Sequence, residues 1–146
     1  MILELYNEKK KEIRARLEDF TRINGKENIF YELCFCLLTP GSSARKCDEK
    51  VRVLRQNNFI DSELNPRKLI YPVRFFNNKA ENIMLAKKNF DSIFDMDVNE
   101  KDNRKIREWL VENVRGLGYK EAGHFLRNIG KGKDIAILDR HILKNL

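Results

Sequence analysis

Lys120 and Asp139 are the two residues of this sequence best suited to carry out chemistry. Lys120 follows Gly116-Leu117-Gly118, and the spacing places it in the first turn of a predicted helix. There the positive end of the helix dipole and partial burial both disfavour the charged ammonium. A lysine held partly neutral can act as an amine nucleophile, whereas the alternative is a surface lysine that contacts phosphate.

Asp139 ends the apolar run 135–138 and precedes Arg140-His141 at the start of a final predicted helix. The common role of an aspartate in that place is the N-cap, whose carboxylate accepts a hydrogen bond from the first helical turn. A carboxylate held by a buried run, on the same side as Lys120, can also stabilise developing positive charge or handle protons. Capping and catalysis are compatible.

The turn Gly116-Leu117-Gly118 separates two amphipathic segments at about residues 106–130. Its glycines let the backbone bend tightly, Leu117 can be buried as an anchor, and the next helix begins with unsatisfied N–H groups. Such groups bind phosphate with the help of the helix dipole, as in a helix-hairpin-helix that grips a nucleic-acid backbone. With Arg115, these three residues are the candidate DNA contacts. The alternative is an ordinary connection between two helices.

Helical periodicity recurs along the chain, and no sustained alternating run predicts a strand. We therefore predict an all-α helical bundle. Residues 27–39 have almost no polar side and should form its central buried helix. Further helices are predicted at 3–23, 66–71 and 102–114, with a short helical turn at 90–95.

Two further helices are predicted from their caps. Ser42 or Ser43 should cap a helix with an apolar face, and Asn77 or Asn78 should cap a later one. The apolar face of the first carries Ala44, Cys47, Val51 and Leu54. In the second, Ala80, Ile83 and Met84 are expected to face inward, and Lys79, Lys87 and Lys88 outward.

Length and composition indicate one domain over residues 1–146, with 42% hydrophobic residues to fill a single core. No secretory leader is apparent and no apolar run approaches the roughly 20 residues of a membrane span, so an intracellular monomer without membrane contact is expected.

The net charge of +7 favours polyanionic partners, although a solvated basic surface is the alternative. Cys34, Cys36 and Cys47 are interpreted as reduced core thiols rather than a metal or redox site.

Five stretches together resemble a known family. They are residues 114–122 (VRGLGYKEA), 124–128 (HFLRN), 137–143 (ILDRHIL), 32–39 (ELCFCLLT) and 74–81 (RFFNNKAE). They closely resemble the helix-hairpin-helix DNA glycosylases that carry a Gly/Pro-Asp signature, and among these the archaeal-type 8-oxoguanine DNA glycosylase/lyases. The resemblance extends from about residue 28 to the end of the chain.

The resemblance implies a bifunctional enzyme of base-excision repair that acts on duplex DNA containing an oxidised guanine. It implies that Lys120 attacks C1′ of the sugar and forms a Schiff base that permits β-elimination, with Asp139 in electrostatic support. It also implies that Phe75 stacks on the extruded base, whereas a core aromatic is the alternative from the sequence itself. No cofactor is required, although the family suggests a monovalent cation at the hairpin.

The chain departs from the family pattern in two places. Pro40-Gly41 stands where relatives often have Ala-Asn, so the loop expected to probe the duplex lacks an amide side chain. The chain also ends at Leu146, whereas family members continue with further helices that help enclose the base. We therefore expect a glycosylase unit without those helices. A non-catalytic helix-hairpin-helix DNA-binding module, or an inactive fragment of such an enzyme, are the alternative functions.

Overall fold

The computed structural model describes residues 7–11 and 25–130, apart from the side chain of Val98, and their regular structure is entirely helical. Residues 7–11 are helical, and a 3-10 turn spans Phe59–Asp61. The prediction of an all-α fold is confirmed. The other helices are α1 (Lys26–Leu38), α2 (Ala44–Gln56), α3 (Arg67–Ile70), α4 (Phe76–Lys88), α5 (Phe90–Asn99), α6 (Asn103–Asn113) and α7 (Tyr119–Asn128).

Helix α1 is the central helix, as its sequence predicts. It packs against α2, α4, α5 and α7, and most of its side chains are buried. The Phe30 ring packs edge-on against Tyr31 and Phe90 and stacks with Phe59, at centroid distances of 5.2–6.0 Å. A helix that is apolar on nearly every side is stable only when other helices surround it.

Helix α2 begins at the predicted cap. The Lys46 backbone N–H donates to Ser43 Oγ at 3.2 Å, which satisfies one of the free donors of the first turn. Cys47, Val51 and Leu54 are buried as expected, but Ala44 is exposed because the first turn extends beyond the core.

Helix α4 differs from the prediction at its start and on its faces. It begins at Phe76 with Phe75 as its N-cap residue, so neither predicted asparagine caps it. Lys79 is only 4% exposed, and Met84 is 44% exposed, the reverse of what we expected. Lys79 shares a helical face with Ile83 and Ala86, at spacings of four and seven, and that face is the one packed on the core.

Helices α6 and α7 pack against each other, and α7 also packs on α1. Asp102 caps α6 by accepting a hydrogen bond from the Arg104 backbone N–H at 3.0 Å. Asn128 Nδ2 donates to Glu32 Oε2 at 3.1 Å and so joins the end of α7 to α1. Before them, α5 is a full ten-residue helix rather than the short turn expected.

None of the helices in the described ranges is long and apolar enough to cross a membrane.

Candidate functional site

The turn between α6 and α7 is a compact hairpin. Val114 and Leu117 are both buried, and the Leu117 N–H donates to the Val114 carbonyl at 3.2 Å. Leu117 is therefore the apolar anchor that the sequence predicts, and the predicted helix-hairpin-helix is confirmed. Among the described residues, no hydrogen bond reaches the carbonyls of Arg115, Gly116 or Leu117.

Gly116 is required at its position for two separate reasons. Its φ of +90° lies in the region that L side chains rarely adopt. In addition, a Cβ atom at this position would lie 2.3 Å from Asn82 Nδ2 on α4. The tight turn and the close approach of α4 both depend on the absence of a side chain.

The first-turn backbone N–H groups of α7 have no acceptor within the part of the chain that the structure describes. Gly118 is its N-cap residue, with extended backbone and no side chain that could accept from the first turn. The Glu121 carboxylate lies close by, since its Oε2 is 2.9 Å from the place of a Cβ on Gly118. Free N–H groups and the helix dipole make such an end an anion-binding site. A bound phosphate would lie near the Glu121 carboxylate.

Lys120 is the second residue of α7 and is exposed. The expected partial burial is therefore wrong, because the first turn of α7 points its second side chain away from the core. The position next to the helix N-terminus is as predicted. Asp139 lies outside the described residues, so its distance to Lys120 and its two alternative roles stay predictions.

Arg115 extends from the hairpin toward α4. One of its guanidinium nitrogens, Nη2, lies 3.6 Å from Glu81 Oε2, with the two side chains 60% and 64% exposed. An exposed ion pair of this kind contributes only about 0–1 kcal/mol. Arg115 can consequently exchange Glu81 for a nearby phosphate at little cost.

Phe75 lies at the surface and is 59% exposed, which excludes the alternative of a core aromatic. Its backbone is left-handed, with φ of +59°, a conformation that is unfavourable for a bulky residue. The Arg74 guanidinium lies over its ring at 4.9 Å from the centroid. An exposed aromatic ring held in a strained backbone is typical of a functional position, although its contact with a base stays a prediction.

Lys79 and Ser42 connect this aromatic to the turn after α1, and sequence reasoning missed both. Lys79 Nζ donates to the carbonyls of Leu38 and Pro40 and to Ser42 Oγ. Ser42 Oγ also accepts from the Arg74 N–H at 3.2 Å. The helical spacing of Lys79 from Ile83 was the one signal in the sequence that could have revealed its burial.

The three cysteines are free and buried, as predicted for core thiols. Burial raises the pKa of Cys36 to about 12 and also raises that of Cys34 and Cys47, so the thiols stay protonated. Within residues 7–11 and 25–130, no group of three or more His, Cys, Asp or Glu side chains is arranged to hold a metal ion.

Comparison with known proteins gives concordant matches. A family model described as 8-oxoguanine DNA glycosylase matches residues 13–146. Three proteins named 8-oxoguanine DNA glycosylase/AP lyase are similar to the chain. That of Fusobacterium nucleatum is 37% identical over 99% of this chain and 71% of its own length. That of Methanocaldococcus jannaschii is 40% identical over 99% and 72%. That of Korarchaeum cryptofilum is 41% identical over 90% and 63%, so the chain spans under two thirds of that relative.

Solved structures agree with these matches. The 8-oxoguanine DNA glycosylase of Thermotoga maritima superposes with a TM-score of 0.68 at 30% identity, covering 99% of this chain and 74% of that one. The M. jannaschii glycosylase/lyase in complex with a 15mer DNA containing 8-oxoguanine superposes with a TM-score of 0.66 at 32% identity, covering 99% and 73%.

Proposed function

Because the chain belongs to the 8-oxoguanine DNA glycosylase family, we propose that it excises 8-oxoguanine from duplex DNA and cleaves the abasic strand. Its context is base-excision repair. The observation that carries the proposal is the hairpin, which puts an exposed lysine, Lys120, in the first turn of a helix. The first backbone donors of that helix have no acceptor among residues 7–11 and 25–130. One short segment thus combines a phosphate-binding site with an amine nucleophile.

In the proposed reaction, the amine of Lys120 forms a bond to C1′ while the glycosidic bond breaks. The departing base takes the electron pair and a proton. The C1′–O4′ bond then breaks, O4′ keeps the electron pair and takes up a proton, and the opened sugar is left as a protonated Schiff base. Loss of a proton from C2′ expels the 3′ phosphate and cleaves the strand. We assign to Asp139 the stabilisation of the sugar cation and the handling of protons.

The hairpin would hold the DNA backbone beside this lysine. The first-turn N–H groups of α7 suit one phosphate oxygen, and the exposed Arg115 suits a neighbouring one. The carbonyls of Arg115, Gly116 and Leu117 suit a monovalent cation, which would offset phosphate charge. No other cofactor is needed, since the amine supplies the covalent chemistry. The enzyme would work as a monomer inside the cell, in association with DNA.

Borohydride trapping tests this function. Duplex DNA containing 8-oxoguanine opposite cytosine should give a covalent adduct with the wild-type chain and none with Lys120→Gln. Lys88→Gln is the matched control, since Lys88 is an exposed lysine on α4 and should leave the adduct unchanged. Absence of an adduct at high wild-type concentration, with DNA binding retained, would instead support a non-catalytic DNA-binding module.

A second variant separates the roles of Asp139. Asp139→Asn should slow base release while DNA binding and thermal stability stay nearly unchanged. A large loss of stability would favour the capping role and contradict the catalytic one.

A further inference from the structure

Lys79 is a buried lysine with its ammonium fully engaged. It is 4% exposed, and Nζ donates to the Leu38 carbonyl at 2.7 Å, the Pro40 carbonyl at 2.5 Å and Ser42 Oγ at 3.4 Å. These three acceptors match the three donors of an ammonium. The Leu38 carbonyl belongs to the last residue of α1, where helical carbonyls have no partner within the helix. Lys79 thus ties α4 to the end of the central helix and to the turn that follows.

That turn, residues 39–43, is also tied to the segment that presents Phe75. Ser42 Oγ accepts from Lys79 and from the Arg74 backbone N–H. Gly41 lies against the same segment, because a Cβ on it would be 3.3 Å from Arg74 Cδ and 3.7 Å from Phe75 Cε2. The two turns, 39–43 and 71–75, therefore form one continuous surface, which we call the two-turn surface.

A lysine is rarely buried, because removing its charge from water is unfavourable. Burial lowers the pKa of Lys79 from its ordinary value, because the charged ammonium is less stable away from water. An apolar residue would fill the space between α1 and α4 without that cost. The single ammonium nitrogen has three N–H donors and can donate to the last carbonyl of α1 and to two acceptors of the following turn together, so the hydrogen bonds account for the residue.

We propose that Lys79 is a positioning residue for base extrusion, holding the turn 39–43 against Arg74 and Phe75 so that the two-turn surface meets the duplex preorganised. The inference rests on the proposed function and on the expectation, taken from the family resemblance, that Phe75 stacks on the extruded base. All three Lys79 hydrogen bonds end on residues 38–42, and none reaches the hairpin that carries Lys120. Lys79 consequently serves removal of the base and not the later cleavage at an abasic site.

The test compares two single-turnover rates in Lys79→Met. Release of 8-oxoguanine from duplex DNA should fall by about 10- to 100-fold, which is the effect of misplacing a positioning group by about 1 Å. Strand cleavage at a preformed abasic site should stay within about threefold of wild type, because no base is extruded from that substrate. Lys79→Arg, which keeps the charge and the donors, should recover part of the lost rate. Lys88→Met on the same helix is the matched control and should change neither rate.

A second readout does not depend on turnover. In a Lys120→Gln protein, the fluorescence of 2-aminopurine placed beside 8-oxoguanine should increase when the protein unstacks the duplex. Adding Lys79→Met should remove at least about half of that increase at saturating protein. If Lys79→Met does not fold, Ser42→Ala takes its place, since it removes the acceptor shared by Lys79 and Arg74 without removing a buried charge.

The possible outcomes distinguish the positioning role of Lys79 from the proposed glycosylase function. A selective loss of base release and of fluorescence in a folded variant supports the positioning role. Equal losses of both rates, or no loss of either, overturn it while leaving the proposed function intact. If the wild-type protein does not release the base and the Lys120→Gln protein does not raise the fluorescence of the probe, the proposed function fails and the positioning role fails with it.

Discussion

Asn82 of α4 fills the space beside Gly116 in the hairpin, where its Nδ2 atom lies 2.3 Å from the place of a Cβ on the glycine. The neighbouring Glu81 pairs with Arg115 at 3.6 Å. Asn82 Oδ1 is buried and has no hydrogen-bond partner among the described residues. Helix α4 thus supports the hairpin through the residues that directly follow Lys79 and Ala80, and the same helix holds the turn 39–43 through Lys79.

The first prediction concerns this contact. Gly116→Ala should destabilise the fold by at least about 1–2 kcal/mol, since an L residue is strained at that φ, and should weaken DNA binding because α4 must move. Gly123→Ala on α7 is the matched control, with nothing within 4 Å of a new Cβ, and should stabilise by about 0.5–1 kcal/mol. Urea unfolding and fluorescence anisotropy with a labelled duplex measure both effects. Equal stabilities and equal DNA affinities of the two variants would contradict the prediction.

A second prediction separates the ring of Phe75 from its backbone. Phe75→Ala and Phe75→Gly should both slow base release, because each removes the exposed ring. Phe75→Gly should nevertheless be more stable than Phe75→Ala by about 1 kcal/mol, since glycine adopts the left-handed conformation without strain. Single-turnover kinetics and thermal unfolding supply the two measurements. Wild-type rates in both variants would exclude a role for the ring.

The third prediction follows from Glu32, which accepts a hydrogen bond from Asn128. Burial raises the pKa of Glu32 above its ordinary value of 4.5, partly offset by that hydrogen bond. The native state therefore holds the proton more tightly than the unfolded state, and stability falls as the pH rises through the window above 4.5. Glu32→Gln should accordingly be more stable relative to wild type at pH ~7 than at pH ~4. Urea unfolding at both pH values checks this, and an equal difference at both would refute it.

The fourth prediction uses the carboxylate beside the N-terminus of α7. Glu121→Gln should tighten duplex binding by about two- to fivefold at low salt, because a negative charge near the bound phosphate is removed. The gain should shrink at high salt as the charges are screened. Glu49→Gln on α2 makes the same change of net charge and should give a smaller gain if the effect is local. Anisotropy titrations at two salt concentrations measure both affinities. Equal gains in affinity for the two variants would show that only the net charge matters and would contradict the prediction.

Several features of the candidate site can be predicted from residues that are close together in the sequence. Ser43 caps its helix as the sequence predicts, and Leu117 is buried between two glycines in the hairpin. These features depend on residues within about one helical turn of each other, where capping and backbone preference act. Contacts between residues that are far apart in the sequence are harder to predict. Helix α4 begins earlier than the asparagines predict, because Phe75 takes a left-handed conformation that its residue type does not favour.

Residue pattern and motif spacing predict an all-α fold, a central apolar helix, a glycine hairpin with Lys120 at its exit, and a resemblance to the glycosylase family. Packing between distant segments buries Lys79, leaves Phe75 and Lys120 at the surface, and brings Asn82 beside Gly116. The physical reason is the distance along the chain. The Leu38 carbonyl that holds Lys79 is 41 positions away, and a buried ammonium is stable only where such acceptors already converge.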